Sequence, residues 1–422
     1  MTSPLKICID AREAGSRAGG IGTFALSLAR AVSNLSDGDE EYFFLVDVGE
    51  GPELERNLGS PLKIIEAHLH SASLIDRVAA QIPHGRGIWN RLRLLISQLG
   101  GSLGYSLAKT DGNLDREKID VIHFTTQKGF FTDIPFIYHP HDLQHRHLPE
   151  YFSREERFSR EHTYRTLCER ASIISVASQW VKRDLQSAFR LPDSKIRIVH
   201  YAPEPHTCSL ASPEVAKKLA QKFLLPQRFI FYPSRTWPHK NHLRLLRSLK
   251  TLQDDYGMTV PLVCSGEPTA HLEKIQSEAE ALGLNKQVFF LGFLTLDELS
   301  ALYQLCSAVV IPTLFEAASF PLWEAFLAER PAACSNVTSL PAQAGDAALV
   351  FDPYNVEEIA GALKRLWTDS EFGAVLVERG RENISRFSWD KTARTFRALY
   401  RQLGNRRLTE EDEKLLSATP LM

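Results

Sequence analysis

The chain has 422 residues, 44% hydrophobic and 24% charged, which is long for one domain and supplies apolar material for about two or three cores. Lys and Arg total 49 against 51 Asp and Glu, a formal charge of -2, so no overall positive field is present to hold nucleic acid. Six scattered cysteines, Cys8, Cys168, Cys208, Cys264, Cys306 and Cys334, contain no CxxC pair, which argues against a zinc cage or disulfide framework and fits a reducing cytoplasm. The opening residues carry neither the apolar core of a signal peptide nor the roughly twenty apolar residues of a membrane span.

Ile7-Cys8-Ile9-Asp10 reads as a short buried strand. A glycine-rich loop with Gly15, Gly19, Gly20 and Gly22 follows, then a helix with Phe24, Leu28, Ala31 and Leu35 on one face. Further strands are expected at 42–46, 121–124, 136–138 and 173–176, with helical material between several of them. Such alternation predicts a parallel sheet wrapped by helices. Pro203-Glu204-Pro205 marks a linker, after which a second series begins. Its strands are expected at 229–232, 262–265, 288–291 and 308–311, and its helices at about 240–256, 269–282 and 296–305. Val356, Ile359, Ala360, Leu363, Leu366 and Trp367 trace a later helix that closes this unit. Two doubly wound halves imply a cleft, with ligands beyond the carboxyl ends of the strands.

The region 71–110 fits the alternation less well. Trp89, Leu92, Ile96, Leu99 and Leu103 share a helical face, with Arg86, Arg91 and Arg93 nearby. This is either core packing, the favoured reading, or a basic helix making peripheral contact with an anionic membrane. The tail from Gly404, with Glu410-Glu411-Asp412-Glu413, is expected to be solvated and partly mobile.

Two stretches carry chemistry. In the segment 312–326, Pro321 suits the first position of a helix, which places Glu316 on a loop and Glu324 in the first helical turn. Free amides at that helix start and the small residues before it suit a phosphate or sugar, although an ordinary acidic helix start is the plain alternative. In Ser234-Arg235-Thr236-Trp237-Pro238-His239-Lys240-Asn241, Arg235 and Lys240 lie on a strand-to-helix loop. Two fixed cations there could hold a diphosphate and stabilise it as a leaving group, whereas singly such residues are usually solvated surface. Gly20-x-Gly22 alone is a weak nucleotide signal. His139, His141, His145 and His147 lack a helical ligand pair, so a metal site is disfavoured.

Together these residues resemble the family-4 retaining glycosyltransferases, whose GT-B fold sets two Rossmann-like doubly wound α/β domains around a central cleft. Glu316 and Glu324 match that family's E-x7-E signature, and Ser234-Arg235 to Lys240-Asn241 its Arg…Lys-Asn diphosphate motif. The likeness continues through Leu291-Gly292-Phe293, the stretch 335–341, Gly345-Asp346-Ala347-Ala348, Phe351-Asp352-Pro353 and Phe387-Ser388-Trp389. In the first half it takes in Gly20-Ile21-Gly22, His141-Asp142-Leu143-Gln144-His145 and Pro149-Glu150-Tyr151-Phe152-Ser153. The implied domains are 1–203 on the acceptor side and 204–385 on the donor side, with 386–422 returning a helix to the first domain and ending in a tail.

The resemblance implies that Arg235 and Lys240 bind the donor diphosphate, Glu316 faces the transferred sugar and Glu324 holds the ribose. Ala318, Ser319 and Phe320 would offer backbone amides, with Leu322 also at the donor site, and Phe293 and Leu294 would border the base. Gly20 and Gly22 would admit the diphosphate, and His141 would lie near the reacting sugar. A front-face displacement with retention follows, without a protein base, cofactor or metal. The partners implied are a nucleoside-diphosphate sugar, GDP-mannose first because the motifs look most like the mannosyltransferase branch, and a glycan or lipid-linked acceptor. The product is a polysaccharide or lipopolysaccharide. Where the family commonly has Glu-Gly-Phe-Gly, this chain has Glu316-Ala317-Ala318-Ser319, and where it often has Leu-Pro-Glu, this chain has Leu340-Pro341-Ala342. The alternatives are a sugar phosphorylase or epimerase of the same fold, or a degenerate partner subunit.

Overall fold

The computed structural model describes residues 3–14, 19–59, 61–70, 107–203 and 212–422. The apolar stripe at 89–103, with Arg86, Arg91 and Arg93, and the linker residues Glu204 and Pro205 lie outside them. The chain divides into two compact units, Met1–His200 with Trp389–Leu421, and Tyr201–Ser388.

Strands covered by helices on both faces are buried on both sides, so they are written as continuous apolar runs. The first unit contains β1 (Leu5–Asp10), α1 (Gly19–Ser33), β2 (Glu40–Val46), β3 (Lys63–Glu66), β4 (Leu69–His70) and β5 (Lys109–Thr110). It continues through β6 (Val121–Phe124), β7 (Phe136–Tyr138), α2 (Arg154–Arg170), β8 (Ile173–Val176) and β9 (Ile196–Ile198). Its main sheet is parallel in the order β3-β2-β1-β6-β7-β8-β9, while β4 and β5 form a separate antiparallel ribbon. Ile7 stands opposite Tyr42 on one side and Val121 on the other.

Gly20 and Gly22 fall inside α1 rather than on a loop before it, because the helix already begins at Gly19. Gly22 is buried on that helix and Gly20 exposed. The helix ends at Ser33, so Leu35 lies beyond it.

The second unit contains β10 (Ile230–Pro233), α3 (His242–Tyr256), β11 (Leu262–Ser265), α4 (Leu272–Ala281), β12 (Val288–Phe290), α5 (Leu296–Leu305) and β13 (Ala308–Ile311). It then adds α6 (Phe320–Leu327), β14 (Ala332–Ser335), α7 (Leu340–Ala344), β15 (Ala348–Phe351), α8 (Val356–Thr368) and α9 (Ser370–Ile384). The sheet order is β12-β11-β10-β13-β14-β15, all parallel. Ile230, Leu245, Leu249, Leu262, Ile359 and Leu363 belong to one buried cluster that joins α3 and α8 to this sheet.

Helix α8 does not close the unit. Helix α9 follows it and packs against α6, where Gly380 lets the helices approach: a Cβ there would stand 3.0 Å from the Phe326 ring. Among the described residues, no helix is long and apolar enough to cross a membrane.

The tail is docked, contrary to the expectation of a mobile end. Helix α10 (Trp389–Leu403) packs on α1, and α11 (Glu410–Ser417) packs on α10. Thr409 and Asp412 cap α11 reciprocally, and the buried Asp412 carboxylate accepts a 2.8 Å hydrogen bond from Arg401. The acidic run therefore contributes a buried anchor as well as a solvated face.

Candidate active site

In the second sheet, β10 and β13 are neighbours, and successive strands are added outward from this pair in opposite directions. The loops leaving their carboxyl ends therefore diverge from one place, the topological position at which open α/β sheets bind ligands. The first loop carries Arg235 and Lys240, and the second carries Glu316.

Three sets of contacts hold the first loop. Tyr232 donates its hydroxyl to the Lys240 carbonyl at 2.7 Å, and the Leu314 amide donates to the His239 carbonyl at 2.7 Å. Asn241, left-handed at φ 63 and buried, donates through Nδ2 to the carbonyls of Pro312 at 2.9 Å and Pro353 at 2.8 Å. At the other end, Gly266 has φ +129, and a Cβ there would come within 2.5 Å of the Ser234 carbonyl. Only glycine allows this approach to the main chain of Ser234 and Arg235.

With the backbone so fixed, Lys240 Nζ lies 2.6 Å from Glu316 Oε2, each side chain about one-fifth exposed (21% and 19%). Arg235 Nη2 lies 3.5 Å from Glu267 Oε2. Both cations thus face a carboxylate. Burial, reinforced by the Lys240 charge, pushes His239 down to about 2, so its ring is neutral at physiological pH.

The second loop is clasped by the segment 338–343. Thr338 Oγ1 accepts the Glu316 amide at 3.2 Å and donates to the Glu316 carbonyl. Ser339 Oγ donates to that carbonyl at 2.9 Å. Gln343 accepts the Ser319 amide on Oε1 at 2.9 Å and donates Nε2 to the Ser319 carbonyl at 2.6 Å. The Ser319 amide is therefore committed internally, which corrects the expectation that it is offered to a ligand.

Helix α6 starts at Phe320, one residue before Pro321, so Glu324 is its fifth residue rather than part of the first turn. The Glu324 carboxylate is buried and accepts the Tyr303 hydroxyl at 2.7 Å. Leu322 is wholly buried, its side chain spent in packing, and Phe320 stacks on Tyr201 with ring centroids 6.0 Å apart. Ala318 is half-buried. Phe293 is half exposed (50%) and Leu294 half-buried, on the turn after Gly292 at φ 71.

In the first unit, His141 is left-handed at φ 63 and its Nε2 lies 2.8 Å from the Thr125 carbonyl. A carbonyl only accepts, so Nε2 carries the hydrogen and Nδ1 the lone pair in the neutral ring. Burial lowers His141 to about 4, which makes the ring neutral at pH 7. Its ring neighbours are His139, centroids 4.5 Å apart, and Phe24 at 5.5 Å. His145 and His147 have separate carboxylate partners, Glu161 at 3.4 Å and Asp184 at 2.9 Å. Among the described residues, no three His, Cys, Asp or Glu side chains group as a metal cage.

The motif spacing did not disclose Gly266, Tyr303 or Gln343, and it took in Thr338 within the stretch 335–341 without giving it a role. Gly266 had a readable signal, a glycine directly after a strand-like run. The others are ordinary polar residues on helices or a turn, and only the fold brings them to the site.

Residues 18–202 match the family profile described as Glycosyltransferase Family 4, and residues 216–383 that described as Glycosyl transferases group 1. The chain belongs to the family-4 glycosyltransferases. This family-4 glycosyltransferase is 34% identical over 184 residues to the serotype-specific mannosyltransferase WbdA of Escherichia coli, a match covering 43% of this chain and 23% of that protein. The chain thus spans about a quarter of that relative's length. It is 27% identical over 264 residues to O-antigen chain mannosyltransferase B of Escherichia coli, covering 61% of this chain and 68% of the other.

Among solved structures, sucrose-phosphate synthase of Thermosynechococcus elongatus superposes with a TM-score of 0.69 at 16% identity, covering 94% of this chain and 99% of that one. Anabaena HepE, in complex with UDP and glucose, superposes with a TM-score of 0.68 at 16% identity, covering 94% and 100%. With two parallel α/β units, this glycosyltransferase has the GT-B fold that the sequence resemblance implied.

Proposed function

We propose that this protein transfers a hexose, mannose first, from a nucleoside-diphosphate sugar, GDP-mannose first, to a hydroxyl of a growing lipid-linked glycan in polysaccharide or lipopolysaccharide synthesis, with retention at the anomeric carbon. The observation that carries this reading is the Lys240–Glu316 pair at 2.6 Å, a phosphate-seeking cation beside a hydroxyl-seeking carboxylate where β10 and β13 diverge. The choice of mannose rests on the likeness to the two Escherichia coli mannosyltransferases.

In this scheme Arg235 and Lys240 leave their carboxylates to grip the diphosphate and stabilise the charge that grows on it as the sugar departs. Glu316, released by Lys240, accepts hydrogen bonds from sugar hydroxyls. Glu324, oriented by Tyr303, accepts those of the ribose, and Phe293 with Leu294 borders the base. The amides of Ala318 and Phe320 serve the sugar and phosphate. His141 contributes a neutral imidazole. The incoming hydroxyl attacks the anomeric carbon on the face the diphosphate is leaving, and its proton passes to the departing phosphate oxygen. That oxygen is the base, and the two side-chain cations supply the counter-charge without a resident metal. The setting proposed is the cytoplasmic face of the membrane, reached peripherally.

The test combines binding and transfer. Thermal unfolding is followed with GDP, UDP, dTDP, ADP and their common sugar conjugates, each at a hundred times its dissociation constant, where a bound ligand adds about 2.7 kcal/mol. GDP and GDP-mannose are expected to stabilise the protein. Labelled GDP-mannose with a lipid-linked glycan extract is expected to yield an α-linked mannosyl product. A β-linked product overturns retention, and transfer only from a uridine or thymidine conjugate overturns the mannose donor. Phosphorolysis, or binding without transfer, overturns the transferase reading.

A further inference from the structure

The loop that carries Glu316 contains no glycine: it reads Glu316-Ala317-Ala318-Ser319 and enters α6 at Phe320. Ser319, in the N-cap position, makes no capping bond with its own side chain. Both ends of this short loop are instead held by side chains from one other segment. At Glu316, the Thr338 hydroxyl both accepts the amide and donates to the carbonyl. At Ser319, the Gln343 amide does the same, with bonds of 2.9 and 2.6 Å.

Each clasp is reciprocal, so it fixes the orientation of the two peptide units that flank the residue as well as their distance, as a neighbouring strand would. Gln343 is fully buried and braced from behind, where Asn383 Nδ2 donates to the carbonyls of Gln343 at 3.0 Å and Ala344 at 3.2 Å. Thr338 is held at φ 52, an unfavourable conformation for a β-branched residue. Such strain persists where the surroundings over-determine it, and here the Thr338 hydroxyl closes on the main chain of Glu316.

We propose that Gln343 and Thr338 are positioning residues for glycosyl transfer. They fix the main chain of 316–319 so that the Glu316 carboxylate and the Ala318 and Phe320 amides stand ready for the sugar before the donor arrives. This rests on the reading of Glu316 as a sugar contact. The two residues act through the loop and touch neither the diphosphate nor the base. Their loss therefore spares recognition of the nucleotide and impairs recognition of the sugar.

The experiment compares Gln343→Met, similar in length but without the amide, with Thr338→Val and Thr338→Ser, the last retaining the hydroxyl. Three quantities are read: amide hydrogen exchange across 316–320, calorimetric affinity for GDP and for GDP-mannose, and turnover. In Gln343→Met and Thr338→Val, exchange in 316–320 rises about tenfold or more while the rest of the second unit is unchanged. GDP affinity stays within about twofold, and the advantage of GDP-mannose over GDP and kcat both fall about tenfold or more. Thr338→Ser restores both to within about threefold of the parent.

Unchanged exchange and kcat in both disruptive variants overturn the proposal. So does a parallel loss of GDP and GDP-mannose affinity with exchange raised throughout the unit, the mark of a general structural role. Glu316→Gln separates the two levels of reading. If it impairs transfer and Gln343→Met does not, only the positioning role fails. If Glu316→Gln leaves transfer intact, the assignment of Glu316 fails and the positioning role falls with it.

Discussion

Lys240 and Glu316 are 76 residues apart in sequence, yet their charged ends meet at 2.6 Å because β10 and β13 lie side by side. Under the proposed function, a diphosphate would draw Lys240 away and free the carboxylate for the sugar, an exchange of partners on donor binding that variants can test. Lys240→Ala and Arg235→Ala are expected to reduce kcat by about two or more orders of magnitude while circular dichroism shows the fold intact. Glu316→Gln removes the competitor for Lys240, so GDP should bind at least as tightly as before while transfer falls. Near-normal turnover in both cation variants, or weaker GDP binding in Glu316→Gln, contradicts this exchange.

Gly266 supports the same loop by having no side chain. Its φ of +129 excludes other residues, and an added Cβ would meet the main chain of Ser234 and Arg235 at 2.5–2.7 Å. Gly266→Ala is therefore expected to displace Arg235, raising the GDP dissociation constant and lowering kcat by about tenfold or more, with a smaller loss of thermal stability. Parent-like kinetics in this variant would show that the Arg235 position is not what limits the diphosphate grip.

Much of the architecture was legible because parallel strands buried on both faces must be apolar throughout. The runs at β1, β6, β8 and β10–β13 stand out in that way. Strand β14 does not, since Ala332-Ala333-Cys334-Ser335 contains small residues without strand preference and becomes a strand only through its neighbours β13 and β15. The charged motifs were visible in their spacing, whereas their pairing was not, because sheet order rather than local sequence places Lys240 on Glu316. The acidic run 410–413 reads as solvated by composition, and the buried Arg401 that accepts Asp412 as its partner lies on a different helix. Likewise Gln343 carries no motif, and only the fold brings it to the two bonds it makes to Ser319.

Five histidines give the protein a distinctive acid response. Burial pushes His141 down to about 4, His123 and His242 to about 3 and His239 to about 2, and holds His139 well below its ordinary value. In the unfolded chain these rings take up protons near pH 6.5, whereas in the folded chain they resist until far lower pH. The unfolded state therefore binds more protons throughout this interval, and stability rises with pH across it. Thermal unfolding is expected to show the melting temperature falling steadily as pH drops from about 6.5 toward 4.5, with carboxylates adding their own titration only below about pH 5. Each histidine contributes roughly 1 kcal/mol per pH unit in that window. A melting temperature flat between pH 6.5 and 4.5 contradicts buried neutral rings. His141→Gln, which keeps a donor for the Thr125 carbonyl, should flatten the slope in part.

Arg401 anchors the docked tail through two carboxylates, Glu40 at 2.6 Å and Asp412 at 2.8 Å, whose side chains are 3% and 1% exposed. Burial alone would raise the Asp412 pKa. The Thr409 amide, then Arg401, outweighs it and holds the carboxyl below its ordinary value. A carboxylate whose folded pKa is depressed contributes stability above its unfolded pKa near 3.9 and loses that contribution as pH falls through the folded value. At neutral pH this contribution is fully present. Arg401→Met would leave two buried carboxylates without their cation, a loss of about 3–5 kcal/mol by analogy with other broken buried pairs. Asp412→Asn removes one charge and retains an acceptor, so its cost at pH 7 should be smaller and should shrink in acid as pH falls through the depressed folded value of the parent carboxylate. Denaturation by urea at pH 7 and pH 3, with hydrogen exchange across 404–421 to follow α11, measures both effects. If Arg401→Met unfolds at the parent urea concentration with α11 still protected, the tail is held by packing against α10 and its buried ion pairs contribute nothing net.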